Sequence, residues 1–477
     1  RISEKTAREY RVVLFTETNG VFTVTTDDPK KEGLSTALKK IFTKGKIHIA
    51  YSLPEDIDAT FLYYQKPLAT RFSQIIGEGG RVAPELLSEI FNDAFVFRAS
   101  DIHFEPQPAE ALVRFRVDGV LREAGRVPLE FYENILNRIK VQAQLRIDEH
   151  YGAQDGSLRF EGDQHVFDLR VSIVPTVMGE KVVLRVLSSY IEGLGLGELG
   201  LSDTHQSLLE SAAKKPFGMI LVTGPTGSGK TTSLYAVLRV LQNPQVNITT
   251  IEDPVEYKVL GINQIQVNKQ TDLTFSRGLR SIVRQDPDVI LVGEIRDHET
   301  AEIAVNAALT GHLLLSTFHA NDAATSIPRL LDMGVEPFIL ASTLELIIAQ
   351  RLVRTICENC RYSVEMSAKE LQQRYPDAHP FLKKEDLTLY AGKGCSTCAN
   401  TGYDGRTALF EFIAVTPELQ ELMLSHPSTK EVSKLTRTQG TRSLFEDGLD
   451  KVLQGVTTID ELFRIAQPPD HIDGSKK

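Results

Sequence analysis

From residue 219 to residue 317 the chain alternates short apolar runs with stretches whose apolar residues recur at helical spacing. The runs at 219–222, 247–251, 289–292 and 312–317 read as strands, and residues 232–241 and 299–309 as helices. That order predicts a parallel sheet with helices on both faces and with chemistry-bearing residues at the carboxyl ends of its strands. Residues 1–70 mix strand-like runs (11–15, 21–25) with a helical stretch (35–43) and predict a small α/β module. In residues 71–187 a helical run (84–95) precedes strand patterns at 112–116, 166–172 and 181–185, the signature of an α+β domain. Gly193, Gly195, Gly197 and Gly200 fall within eight residues, so 188–200 is expected to be a flexible linker. After the sheet region (201–350) come a cysteine-bearing module (351–412), a helical stretch (413–467) and a polar tail (468–477) predicted to be disordered.

The junction of the first strand and helix of that sheet carries Gly224-Pro225-Thr226-Gly227-Ser228-Gly229-Lys230-Thr231-Thr232. This is a complete phosphate-binding loop. Its glycines let backbone N–H groups close around phosphate oxygens at a helix N-terminus, Lys230 reaches the β- and γ-phosphates, and the Thr231 hydroxyl holds Mg²⁺. A Gly-rich turn that binds nothing is the alternative, and the strand–loop–helix context speaks against it.

Composition narrows the class. At 477 residues with 42% hydrophobic content the chain is long enough for about three packed domains. Its apolar runs fall short of the ~18 residues that span a bilayer, so no direct membrane insertion is expected. No charged-then-apolar leader opens the chain, which begins on Arg1, so a reducing compartment and further sequence upstream are both expected. Net charge is −10, from 53 Lys and Arg against 63 Asp and Glu, with no Trp. A dedicated nucleic-acid binder normally shows a basic footprint, so no nucleic-acid partner is expected. A nucleic-acid translocase on the same core is the alternative function, and nucleic-acid-stimulated turnover would reveal it.

All four cysteines lie in two Cys-x-x-Cys pairs, Cys357/Cys360 and Cys395/Cys398, with 34 residues between them. Two such knuckles supply four thiolates for a closed, structural Zn²⁺ site. The long intervening loop adds little closure entropy. Free thiols or a redox pair are the alternatives.

Hydrolysis of a nucleotide needs an acid to position water and cations against developing charge. Glu252, Asp253 and Glu256 follow one strand, and Glu294 follows another. Glu294 resembles a Walker B glutamate, although Gly293 stands where a metal-binding Asp is usual. Glu294 is expected to orient or deprotonate water, with the Glu252–Glu256 acids sharing the metal. His312 and His319 bracket the last strand; His319 is a candidate γ-phosphate sensor, the bland alternative being a polar cap. Arg98, Arg114 and Arg116 cluster in the α+β domain, and Arg277, Arg280 and Arg284 on a predicted helix. Solvated faces explain most such arginines, but a finger delivered from another domain can stabilise the transition state.

Taken together, these motifs resemble the type II secretion and type IV pilus assembly ATPases, over nearly all of residues 80–467. The resemblance rests on Arg98-Ala-Ser-Asp-Ile-His103-Phe-Glu105, Arg114-Phe-Arg-Val-Asp-Gly119, Gln154-Asp-Gly156, the phosphate loop, Ile251-Glu-Asp-Pro-Val-Glu256, Leu279-Arg-Ser-Ile-Val-Arg-Gln-Asp-Pro-Asp288, Gly293-Glu-Ile-Arg-Asp297, Thr310-Gly-His312 through His319, the tetracysteine module and Gly402-Tyr-Asp-Gly-Arg406. It implies an α/β fold: a RecA-like core binding ATP, a preceding PAS-like α+β domain, a zinc module and a helical C-terminus. It further implies a cytoplasmic homohexamer, peripheral at the inner face of the membrane, working through an inner-membrane platform protein and associated assembly proteins. On that pattern Glu252, Asp253 and Glu256 form an Asp box, residues 312–319 a His box, and Arg98 and Arg114 face nucleotide. Residues 1–70 match the later part of a docking domain. The cysteines favour an extension or secretion motor over a retraction motor. Ala153, where Pro is usual, and Arg277, where a small residue is common, depart from the pattern without touching the phosphate chemistry.

Overall fold

The four runs read as strands do share one sheet. The computed structural model describes residues 2–18, 20–43, 45–61, 68, 70–77, 85–162, 165–187, 195–268, 270–382 and 386–469. The chain forms two compact units, residues 1–69 with 123–125 and residues 70–122 with 126–477. In the first, β1 (Val12–Thr18) pairs antiparallel with β2 (Val21–Thr26), and β2 pairs parallel with β3 (Lys46–Tyr51). A parallel pair needs a crossover. Helix Leu34–Ile41 supplies it, burying Leu34 and Leu38 one turn apart.

The second unit begins with an α+β part. Helix Glu85–Val96 precedes β4 (Asp101–Pro106), β5 (Glu110–Val117) and β6 (Val120–Pro128); helix Leu129–Gln142 then leads to β7 (Gln154–Glu161), β8 (Val166–Thr176) and β9 (Gly179–Leu187). They form a six-stranded sheet in the order β6-β5-β4-β9-β8-β7. Along β8, Phe167, Leu169, Val171 and Ile173 are buried and their neighbours are not, the period-two pattern of a half-covered strand.

The larger sheet contains β10 (Gly218–Thr223), β11 (Ile248–Glu252), β12 (Asn263–Gln266), β13 (Val289–Val292), β14 (Leu313–Phe318) and β15 (Leu344–Ile356). Outside it lies a hairpin of β16 (Arg361–Ser367) and β17 (Asp386–Gly392), and β18 (Tyr403–Ala414) then closes the sheet edge. The order is β12-β11-β13-β14-β10-β15-β18, parallel except for the β15–β18 pair. Helices Asp203–Ala213 and Lys230–Leu241 cover one face. Phe275–Ile282, His298–Leu309, Ser326–Asp332 and Pro337–Thr343 cover the other. Strands β10, β13 and β14 are buried along their whole length, as a doubly covered parallel sheet requires.

Four further helices, Pro417–Met423, Thr429–Thr438, Leu444–Leu453 and Ile459–Ile465, join the second layer. Ser428 with Glu431 and Ser443 with Glu446 form capping boxes that start two of them, each cap contributing about 1 kcal/mol. Of the expected linker, residues 188–194 lie outside the described residues. In the remainder Leu196 and Leu199 are buried in a short 3-10 turn and Gly200 lies against Thr407, while Gly195 and Gly197 are exposed. Of the expected disordered tail, residues 470–477 lie outside the described residues.

Candidate nucleotide site

β10 delivers the chain into a loop that only glycine accommodates at three places. Gly224, Gly227 and Gly229 have φ of +148°, +78° and +85°, where a Cβ is strained. A Cβ on Gly224 would lie 2.5 Å from the Gln350 carbonyl oxygen, and one on Gly229 2.9 Å from Gln350 Nε2, whereas nothing lies within 4 Å of the Gly227 position. The loop is thus wedged against β15 on one side and open on the other. Helix Lys230–Leu241 starts directly after Gly229, so its free N–H groups face the open side. Pro225 and Thr226 are exposed at the loop's crest, and Thr231 and Thr232 lie half-buried in the helix's first turn.

Lys230 Nζ donates to the carbonyls of Gly224 (2.9 Å) and Pro225 (3.0 Å). Burial lowers its pKa, Glu294 opposes that shift and Arg351 adds to it. Ser228 Oγ is buried without a hydrogen-bond partner. A buried hydroxyl left unsatisfied carries a cost, and an oxygen-rich ligand in the loop would relieve it. Glycine freedom, a cation and this hydroxyl fit a nucleotide phosphate.

The acids separate into two kinds. Glu252 ends β11 only 2% exposed. It accepts from Tyr235 Oη (2.5 Å) and Thr250 Oγ1 (2.6 Å), with Gln264 Nε2 at 3.5 Å. Burial raises its pKa despite these donors. Expected from sequence to share the metal, in this structure it ties the helix behind the phosphate loop to β11. Asp253 is exposed and Glu256 half-buried, and Glu256 lies 3.5 Å from Arg170 on β8.

Position 293, where a Walker B aspartate is usual, is crowded. A Cβ there would lie 3.2 Å from Glu252 Cα and 3.2 Å from the Ile251 oxygen, because the Gly293 N–H bonds that oxygen at 2.7 Å. Glu294 follows with 12% side-chain exposure, its Oε2 2.6 Å from Arg296 Nε and 3.1 Å from His319 Nε2. His319 and Glu294 therefore meet at the carboxyl edge of neighbouring strands. His312, at the opposite end of β14, bonds the Ala307 oxygen and is a local cap. Asp288 also lies at that far end, accepting from the Asn247 N–H.

Arg98 is ion-paired with Asp404, and Arg114 lies 2.7 Å from Glu105, which also pairs with Lys181. Arg116 pairs with Asp101, Arg277 with Asp272 and Arg280 with Glu299, while Arg284 bonds Ser281. Cys357, Cys360, Cys395 and Cys398 bring their sulfurs within 4.8 Å of one another. The N–H groups of Gly394, Cys395 and Gly402 point at Cys360 and Cys398 sulfurs. Four converging thiols with N–H donors fit a tetrahedral metal such as Zn²⁺.

Tyr235, Arg296 and Gln350 are site residues that the sequence did not single out. Tyr235 falls on the apolar stripe of its helix and reads as core. Gln350 lies 120 residues beyond Lys230, and only the β10–β15 pairing brings it to the loop. Arg296 is two positions after Glu294, a spacing that could have drawn notice.

Comparison with known proteins follows the same outline. A family profile described as type II/IV secretion system protein matches residues 78–464. The type II secretion system protein E of Pseudomonas aeruginosa is 46% identical over 384 residues, covering 80% of this chain and 75% of that protein. The type IV pilus assembly ATPase PilB of the same organism is 43% identical over 382 residues, covering 80% and 67%. The solved structure of the pilus retraction motor PilT with bound ADP is 26% identical with a TM-score of 0.54, covering 80% of this chain and 97% of that one. With a phosphate loop, a strand-end glutamate and a histidine converging on one sheet edge, this chain belongs to the type II/IV secretion system protein family and is an ATPase.

Proposed function

We propose that the chain is a hexameric motor that hydrolyses ATP to assemble a type IV pilus or a type II secretion pseudopilus through an inner-membrane platform protein. The observation that carries this reading is the meeting of Lys230, Glu294 and His319 around one phosphate loop in a chain about equally similar to a secretion ATPase and a pilus assembly ATPase. Among the described residues no helix is long and apolar enough to cross a membrane. In this reading the motor works at the cytoplasmic face and meets the membrane through partners.

In this reading the N–H groups of residues 227–230 orient the triphosphate and Lys230 moves from the loop carbonyls to the β/γ oxygens. Thr231, with Asp253 and Glu256, would hold Mg²⁺, which would supply neutralising charge to the triphosphate. Glu294 takes the proton of the attacking water. Arg296 and His319 fix its carboxylate oxygen, and His319 links it to the γ-phosphate. Arg98 and Arg114 add cationic charge as the α+β domain closes, from the same chain or from a neighbour in the hexamer. The four cysteines hold a structural Zn²⁺.

Phosphate release by the purified protein tests the reading. Lys230→Ala is expected to abolish turnover, since losing that cation raises the barrier by several kcal/mol, at ~1.4 kcal/mol per tenfold. Wild-type turnover in this variant would sink the site assignment. Capture of the platform protein from a pilus system, a secretion system or neither decides the fibre.

A further inference from the structure

The α+β part of the second unit touches the cysteine module of its own chain at three places. Arg98 pairs with Asp404. Asp118 Oδ2 accepts from the Gly405 N–H at 3.1 Å. Arg122 Nη2, on β6, donates to the Ala399 oxygen at 3.0 Å. Ala399 directly follows Cys398, and the backbone of Ala399 and Asn400 is left-handed, with φ of +46° and +62°. The second knuckle is thereby folded so that a carbonyl faces Arg122.

Arg122 is only 8% exposed. Burial disfavours its charged form. Cys398 favours its charged form while Arg354 opposes it, and Arg354 is itself engaged with Glu461 at 2.7 Å. Four thiolates around one Zn²⁺ carry a net charge of about −2, because coordination deprotonates each thiol. Arg122 bonds the carbonyl directly after Cys398, where burial leaves that charge less screened than at the surface.

We propose that the second cysteine knuckle is the dock of the α+β domain and that Arg122 senses the charge of the metal-bound tetrathiolate. Metal occupancy and docking are then thermodynamically coupled: the metal tightens the dock, and the docked domain holds the metal. This inference rests on the zinc reading of the four cysteines. It adds that the metal, besides bracing its own module, governs how the α+β domain sits on the ATPase core.

Three variants of the full chain test it, by zinc release into a chelating dye and by hydrogen exchange of the Gly405 amide. Metal analysis comes first, and a wild-type chain without zinc defeats the zinc reading and the coupling together. Arg122→Ala is expected to purify with zinc but release it about tenfold faster, within the ~5–150-fold range of ordinary coupling, with faster exchange at Gly405. Stripping zinc from the wild type should produce the same increase in exchange. Asp118→Ala, which bonds no cysteine, should also speed zinc release, because it loosens the same dock. Arg122→Lys keeps the charge and should restore most of the zinc retention. Zinc bound normally, but released at the wild-type rate from Arg122→Ala and Asp118→Ala while Gly405 exchange rises, would overturn the coupling and leave the zinc reading intact. Unchanged Gly405 exchange on stripping the metal would overturn it as well.

Discussion

Replacing Glu294 by Gln separates catalysis from structure. The amide keeps the volume of the side chain but cannot take a proton from water. A general base contributes ~10²–10⁴ in rate, or about 3–5 kcal/mol at ~1.4 kcal/mol per tenfold. The structural loss is smaller. Glu294 Oε2 touches Arg296, which is 65% exposed, and His319, which is 42% exposed, and pairs with such exposed partners contribute about 0–1 kcal/mol. Glu294→Gln is therefore expected to lower kcat by at least a hundredfold while shifting nucleotide affinity and stability by less than tenfold equivalents. The assay combines phosphate release across ATP concentrations, titration with a fluorescent ATP analogue and a urea melt. Loss of binding along with turnover would show that Glu294 serves mainly the metal or the fold, and a kcat within tenfold of wild type would refute its role as base.

Other outcomes follow from particular contacts. Tyr235→Phe removes the donor at 2.5 Å from the buried Glu252 carboxylate; hydrogen bonds to charged groups contribute ~1.5–3 kcal/mol, so the urea midpoint should fall accordingly and turnover with it, and an unchanged midpoint would remove the tie assigned to this pair. Burial and the charge of Asp322 raise the pKa of half-buried Glu411 to about 7, against donation from the Ala323 and Leu444 N–H groups and the charge of Arg437. The folded chain then holds a proton that the unfolded chain releases at lower pH, so stability falls as pH rises from about 4.5 to about 7. Glu411→Gln should abolish that decline and exceed wild type above pH 7 by about 1–3 kcal/mol; identical pH profiles would count against it. Arg98→Ala and Arg114→Ala should each slow hydrolysis, and mixing Arg114→Ala with Lys230→Ala chains should restore some activity if delivery is between subunits. No recovery in verified mixed hexamers would point to delivery within one chain or to a purely structural role.

What the sequence determined by itself was local. Gly224, Gly227 and Gly229 announce a loop because the constraint acts on single φ angles, and Lys230 and Thr231 follow at fixed spacing on the next helix turn. The alternations of β8 and the apolar runs of β10, β13 and β14 were legible because burial imposes a period on neighbouring residues. The two Cys-x-x-Cys pairs likewise state their chemistry within four residues each. The short β12, Asn263–Gln266, carries too little apolar pattern to be read, and the linker composition of residues 195–200 concealed two leucines that pack into the core. Tertiary structure alone decided the rest, because the partners are far apart in the chain. The β15–β18 pairing brings residues 344–356 and 403–414 into the ATPase sheet, so the boundaries drawn at 350 and 412 fall within strands. The close approach of β11 to Gly293 leaves little room for a Walker B aspartate, and burial against Tyr235 draws Glu252 into a tie between β11 and the helix behind the phosphate loop. Arg122 gave no local signal, since its meaning lies in Cys398, more than 270 residues away, and only the folded chain brings that charge to it.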